Sequence, residues 1–230
     1  MTTISAVPED QDAPIVIDIK PRSEGKLNAA RDKLLEVLGD LTIPKIKRST
    51  VLKSGPNKGK KVTQRDVIIG TIGRTENFGF GRTRSGYKEF AANKKHPEVL
   101  EALIEYGRLA VPKGWKFSAM TLNHGVKAKK HLDEQNVGFS VISAVGDFTG
   151  GGLYVFNPDG SGRKTLDIHN KPKMFNGAIL PHQTQPFKGD RWTIIYYNQK
   201  EDGSIKGYST VGSGECGCEG EEPLAGGVFA

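Results

Sequence analysis

Apolar positions along the chain change their spacing near residue 115. Before it, two stretches carry the three- and four-residue spacing of amphipathic helices. In GKLNAARDKLLEVLGDL, Leu27, Ala30, Leu34, Leu35 and Leu38 fall on one side, and Gly39 is placed to end the helix. In HPEVLEALIEYGRLA, Pro97 suits a first helical turn, and Val99, Leu100, Leu103 and Ile104 share a face. APIVIDI reads as a first strand and VIIGTIG (67–73) as a short buried one, whereas FGFGRTRSGY (78–87) reads as a glycine-rich loop. After VPKGW the chain becomes a series of short β-rich runs with turn residues between them. These are KFSAMTLN, VGFSVISAV, GGLYVF, KTLDIH, GAILPH, RWTIIYYN and IKGYSTV, and such runs predict a sandwich or barrel. The helices precede the strands and do not alternate with them, which disfavours a doubly wound parallel sheet. The expected fold class is α+β, mainly β, with helices packed outside a β-core.

A length of 230 residues suits one domain. A hydrophobic content of 36% with 29 glycines fits a loop-rich β fold that still has an adequate core. The expected division is a disordered N-terminus (1–13), a single domain (14–211, its β-core at 116–211) and a flexible, acidic, glycine-rich tail (212–230). No apolar run approaches a membrane span. MTTISAVPEDQDAP also lacks the basic and apolar regions of a signal peptide, so an intracellular, soluble protein is expected. The two cysteines, Cys216 and Cys218, sit in ECGCEG. With no further cysteine to complete a zinc site, they read as thiols of an exposed tail in a reducing compartment.

The formal charge of +7 is unevenly spread: residues 45–65 carry Lys45, Lys47, Arg48, Lys53, Lys58, Lys60, Lys61 and Arg65 and no acid. Such a stretch suits a phosphate backbone or a solvated basic hairpin, and charge alone does not choose between them.

The candidate chemistry begins in KKHLDEQN (129–136). In an extended segment His131 and Asp133 point to the same face, so both can grip one ion, with a third ligand from another strand. Of the other histidines, His96 stands at a helix start, His124 in the turn-like NHGVK and His169 at a strand end. His182 is placed at the end of the GAILPH strand. Nine residues on, Arg191 opens another apolar strand after the turn at Lys188, Gly189 and Asp190. Two histidines and a carboxylate on one face make a facial triad with open positions, which suits non-haem Fe(II). A buried arginine fork would hold the far carboxylate of an iron-chelating dicarboxylate. Thr193 shares the face of Arg191.

These motifs together resemble the Fe(II)/2-oxoglutarate-dependent dioxygenases over roughly residues 70–200. Within them, TLNHGVKAKKHLDEQNVGFSVISAVGDFTGGGLYVF and MFNGAILPHQTQPFKGDRWTIIYYN resemble the TET/JBP-like nucleic-acid oxygenase branch. The carrying elements are H-x-D-x-x-N ending in Asn136, G-D-x-T-G-G at 146–151 and P-H-x-T-x-P-F-x-G-x-R at 181–191. The chain is much shorter than animal TET enzymes and lacks their cysteine-rich zinc-binding region. The resemblance implies a double-stranded β-helix (jelly roll) core, with Fe(II) on His131, Asp133 and His182. It implies 2-oxoglutarate held by Arg191 and Thr193, and O2 as the third reactant. Oxidative decarboxylation to succinate and CO2 would then accompany substrate hydroxylation. Asn123 is expected to touch the cosubstrate. Asn136 does so instead, or orients substrate or Asp133, while turn and strand-end capping is the structural alternative for both. The branch implies a nucleobase methyl group in DNA, of 5-methylcytosine or thymine, as the target. Hydroxylation of a protein side chain or small metabolite is the alternative, and a non-catalytic nucleic-acid-binding jelly roll the third reading. Arg82 and Arg84 would reach over the mouth to substrate phosphate, or belong to a surface loop. Residues 150–152 read as a hairpin turn that needs glycine.

Overall fold

The computed structural model describes residues 16–43, 49–51, 61–63, 73–83 and 86–199, with 49–51 and 61–63 described by their backbone alone. VIIGTIG up to residue 72, Arg84, IKGYSTV and both cysteines lie outside the described residues. Of the basic stretch 45–65, only the antiparallel backbone pair β2 (Ser49–Val51) and β3 (Lys61–Thr63) is described.

Both anticipated helices form. Helix α1 (Glu24–Gly39) starts at Ser23, whose hydroxyl accepts the Lys26 N–H at 3.3 Å. It buries Leu27, Ala30, Leu34 and Leu38, while Leu35 is only partly covered. An unanticipated short helix, α2 (Ala91–Lys95), leads into α3 (Pro97–Ala110), which has its proline in the first turn. The buried face of α3 runs through Val99, Ala102, Leu103, Tyr106, Gly107 and Ala110, and Leu100 and Ile104 sit at its margin. Small residues decide this rotation: a Cβ at Gly107 would lie 2.4 Å from the Tyr196 ring. That contact brings α3 hard against the sheet.

The sheet below has seven strands in the order β1-β11-β7-β14-β6-β4-β5. These are β1 (Val16–Asp18), β11 (Lys173–Phe175), β7 (Asn136–Val145), β14 (Trp192–Gln199), β6 (Ala119–His124), β4 (Arg74–Thr83) and β5 (Gly86–Glu89). Alternate rungs face opposite layers, as strand periodicity requires. The rung Phe78, Met120, Tyr196, Val141 packs toward the helices. The rungs Thr75, Asn123, Thr193 and Asn77, Thr121, Ile195 face the interior.

A smaller layer closes over that interior. It pairs β9 (Leu153–Val155) with β10 (Lys164–Leu166) and β12 (His182–Thr184), and β8 (Phe148–Gly150) with β13 (Phe187–Gly189). The extended segment before β7 joins this layer through a bridge between His131 and His182. From β6 onward the chain crosses between the layers repeatedly: over to His131, back to β7, over to β8–β10, back to β11, over to β12 and β13, and back to β14. This is a double-stranded β-helix. Ile142, Ala144, Leu153, Val155, Phe175 and Phe187 fill the space between its layers. Among the described residues no helix is long and apolar enough to cross a membrane.

Three local expectations are corrected. The described residues of FGFGRTRSGY belong to the paired strands β4 and β5, not to a loop. Its glycines serve close packing: a Cβ at Gly79 (φ +83°) would sit 2.3 Å from the Ser118 carbonyl, and one at Gly81 2.5 Å from the Phe90 ring. GAILPH is a turn, and His182 opens β12 instead of ending a strand. The 150–152 stretch is no tight hairpin, because β8 pairs with β13 whereas β9 pairs with β10 and β12.

Candidate metal and anion site

His131, Asp133 and His182 come together at one end of the interior. One ligand atom from each lies within 4.8 Å of the others. Backbone pairing places them: His131 N–H and the His182 carbonyl are 3.0 Å apart, the reverse pair is also 3.0 Å, and Asp133 N–H donates to Gly177 at 2.9 Å. Each histidine Nε2 lies 3.6 Å from an Asp133 oxygen, longer than a hydrogen bond.

The rings are held from behind. His131 Nδ1 lies 2.7 Å from the Lys129 carbonyl and His182 Nδ1 2.9 Å from the Leu180 carbonyl. A carbonyl only accepts, so each Nδ1 carries the hydrogen and each Nε2 lone pair faces the gap. That arrangement fixes a metal-binding tautomer. Burial, and then the neighbouring His182, push the His131 imidazole below its ordinary value, favouring the neutral form that ligates. The three side chains fit a 2-His-1-carboxylate ion such as Fe(II). Gly177 is part of the fit, since a Cβ there would lie 3.3 Å from both Asp133 Oδ2 and His182 Cε1.

The triad opens onto a cavity of about 420 Å³. Arg191, 2% exposed, lines the same cavity. Its Nε and Nη2 donate to the Gly151 carbonyl at 3.0 and 2.8 Å, and Nη1 donates to Thr193 Oγ1. A guanidinium has five N–H groups, so one on each terminal nitrogen is left for the cavity. Phe148 and Phe187 flank the fork, with ring centres 5.6 and 5.1 Å away. No acidic side chain pairs with Arg191 among the described residues. Burial pushes its guanidinium down to about 10, so it stays cationic at neutral pH. A buried cation without a counter-ion is costly and marks a place for an anion.

Thr193 and Asn123 are direct partners across β14 and β6, and Asn123 Oδ1 accepts from Thr75 at 2.6 Å. Asn136 is buried at the cavity wall, with its N–H on the Asp133 carbonyl at 2.8 Å. Thus His131, Asp133, His182, Arg191, Thr193, Asn123 and Asn136 all line one cavity. Arg82 does not: it is exposed on β4, and only its backbone N–H reaches a cavity residue, Gln199. As a strand residue it does not arch over the mouth.

The remaining histidines stay apart from the triad. His124, at the end of β6, meets Asp190 at 2.6 Å and stacks on Trp192; His169 lies 3.2 Å from the Gly146 carbonyl. His96 occupies an N-cap position but makes no side-chain cap, lying 3.8 Å from Glu98 instead. Gly177 carried no signal in the sequence, and Gly151 read there only as part of a turn. Gly151 (φ +73°) is shaped around Arg191, since a Cβ there would lie 2.7 Å from Nε. Its signal was its place in a run of three glycines, longer than a turn needs.

No protein-family model and no curated protein sequence matches the chain. Among solved structures it is similar to a Pseudomonas putida prolyl-4-hydroxylase (14% identity, covering 81% of this chain and 94% of that one, TM-score 0.44). It is also similar to an oxidoreductase of the 2OG-Fe(II) oxygenase family from Burkholderia pseudomallei (13%, 82% and 84%, 0.44). A third is NgTET1 in complex with 5mC DNA (12%, 77% and 91%, 0.40). At such values the likeness is one of outline.

Proposed function

We propose that the protein is an Fe(II)- and 2-oxoglutarate-dependent dioxygenase. The observation that carries this reading is one cavity lined both by the His131–Asp133–His182 triad and by a buried Arg191 that has no acidic partner among the described residues. The triad would hold Fe(II). Arg191 and Thr193 would hold the distal carboxylate of 2-oxoglutarate, and Asn123 would border the same molecule. Bound iron, 2-oxoglutarate and O2 supply the oxidising power that hydroxylates a C–H bond, with succinate and CO2 as co-products. The chain's own residues orient and enclose. The Lys129 and Leu180 carbonyls keep Nε2 aimed at the ion. Ile142, Leu153 and Phe175 exclude water around it, and Arg191 fixes the cosubstrate in one direction.

For substrate, we favour a nucleobase methyl group in DNA, of 5-methylcytosine or thymine. Supporting it are the +7 charge and the exposed Lys127, Lys129 and Lys130 on the segment that runs into His131. Lysines there would meet phosphates flanking an extruded base. A peptide side chain is the second reading, favoured by exposed Leu132 and Ile179 on the segments that carry the triad, an apolar surface suited to a protein segment. Nucleoside mass spectrometry separates them. Methylated DNA incubated with protein, Fe(II), 2-oxoglutarate and ascorbate should gain one oxygen on 5-methylcytosine or thymidine, and His131→Ala should abolish the gain. No oxidised nucleoside, with succinate formed only on adding peptides, would reject the DNA reading.

A further inference from the structure

Strand pairing leaves one part of the His131 segment unsupported. Thr184 N–H donates to the Ala128 carbonyl at 3.0 Å, and further on His131 pairs with His182. Between these anchors the chain bends at Lys130. Among the described residues no backbone–backbone hydrogen bond holds Lys129 or Lys130. Yet the Lys129 carbonyl is the group that fixes the His131 ring, 2.7 Å from Nδ1. That carbonyl and the Lys130 N–H belong to one rigid peptide plane. Whatever holds Lys130 therefore also holds the acceptor behind His131.

A loop of the smaller layer holds it. Residues 156–163 join β9 to β10. Lys130 Nζ donates to the Gly160 carbonyl at 2.8 Å and stands over the Phe156 ring, 3.9 Å from its centre. The loop is itself tied: Gly160 N–H donates to the Asn157 carbonyl at 2.8 Å, Asn157 N–H to the Ser161 carbonyl at 3.0 Å and Ser161 N–H to Asp159 Oδ1 at 2.7 Å. It also reaches the second histidine, since Phe156 N–H donates at 2.9 Å to the carbonyl of Pro181, the residue before His182. One loop thus touches the segments that carry both histidines, and neither Lys130 nor any residue of the loop lines the cavity.

We infer that Lys130 is a positioning residue for the ligand His131: its grip on the 156–163 loop keeps the Lys129 carbonyl behind the ring and the Nε2 lone pair aimed at the gap. This rests on the metal-binding reading above and extends it to a residue outside the cavity. The remaining N–H donors of Lys130 stay at the surface. Charge alone predicts the opposite sign. An ammonium repels a nearby divalent cation, so removing it should tighten metal binding, whereas removing a brace should weaken it.

The test titrates the full chain with Mn(II), read by the EPR signal of the free ion, and with Co(II), read by visible absorption. Lys130→Met keeps an apolar chain over Phe156 and removes the charge and the donor. Outer partners of a metal ligand contribute about 10- to 100-fold in affinity, and Lys130 acts one link further out, so the Mn(II) Kd should rise about three- to tenfold. The Co(II) spectrum should change with it. Lys130→Arg keeps a cation over the ring and a donor for Gly160, and should restore both readouts. Phe156→Leu removes the ring from the loop side and should weaken Mn(II) in the same direction. The two changes together should cost less than their sum. Arg163→Met removes a second cation–ring contact of this hairpin, Arg163 over Tyr154 at 4.4 Å, and should bind Mn(II) as the wild type does. Metal-free Lys130→Met should melt close to the wild-type temperature. An unchanged or tighter Mn(II) Kd in Lys130→Met, a loss that Lys130→Arg does not recover, or an equal loss in Arg163→Met overturns the inference and leaves the metal site standing. A wild type that binds neither Mn(II) nor Co(II) overturns both.

Discussion

Arg191→Met separates anion binding from folding. Methionine keeps much of the arginine's length and removes the charge and the fork. The two N–H groups that face the cavity would each make a charge-assisted bond to a carboxylate, worth about 1.5–3 kcal/mol apiece. Losing both predicts about 3–6 kcal/mol, or roughly a 10²- to 10⁴-fold weaker Kd for 2-oxoglutarate. Stability should respond differently. The Gly151 carbonyl loses both its guanidinium donors, which costs about 1–3 kcal/mol. Against this, a cation 2% exposed and with no acidic partner among the described residues disappears, relieving a desolvation cost of several kcal/mol. The ligand-free variant should therefore melt at or above the wild-type temperature while losing the cosubstrate. Calorimetric titration of 2-oxoglutarate into Mn(II)-loaded protein, with thermal unfolding of the free protein alongside, measures both. A Kd within threefold of wild type would refute the assignment of Arg191, and a large drop in Tm would show that its role is structural.

Three further outcomes follow from the geometry. His131→Ala and His182→Ala should each abolish measurable Mn(II) binding at micromolar concentrations, whereas His169→Ala, whose ring lies by the Gly146 carbonyl, should bind as the wild type does. Gly151→Ala forces a side chain into a left-handed conformation, at about 1–2 kcal/mol, and sets a Cβ 2.7 Å from Arg191 Nε; 2-oxoglutarate affinity should fall at least about tenfold in titration, with a lower Tm. Because the Arg191 guanidinium is depressed only to about 10, it is cationic below that pH and neutral above it. Its contribution to 2-oxoglutarate affinity should be level from about pH 7 to 9 and decline as pH approaches 10, and a decline centred near neutrality would assign the anion to another group.

Much of the site was legible because its geometry follows from strand periodicity. An H-x-D segment places two ligands on one face wherever it is extended, and Arg191, just before β14, shares a face with Thr193 for the same reason. What failed was local. FGFGRTRSGY looked like a loop because glycine weakens a strand signal, yet Gly79 and Gly81 are there to let Ser118 and Phe90 approach. That contact is long-range and has no local mark. GAILPH contains apolar residues that suit a strand, but its backbone turns so that Gly177 can take the Asp133 N–H and Leu180 can hold His182. Asn77 and Gln199 carry no motif. They reach the cavity only through the pairing of β4 with β6 and of β14 with β7, which spacing along the chain does not reveal.

In the proposed reaction the triad and Arg191 together couple 2-oxoglutarate decarboxylation to O2. The most direct measurement is mass spectrometry of succinate formed under isotopically heavy O2, with Fe(II), 2-oxoglutarate and methylated DNA present. One heavy oxygen atom should appear in succinate, dependent on Fe(II) and absent in His131→Ala and Arg191→Met. Succinate without heavy oxygen, or heavy succinate undiminished in those variants, would contradict the account.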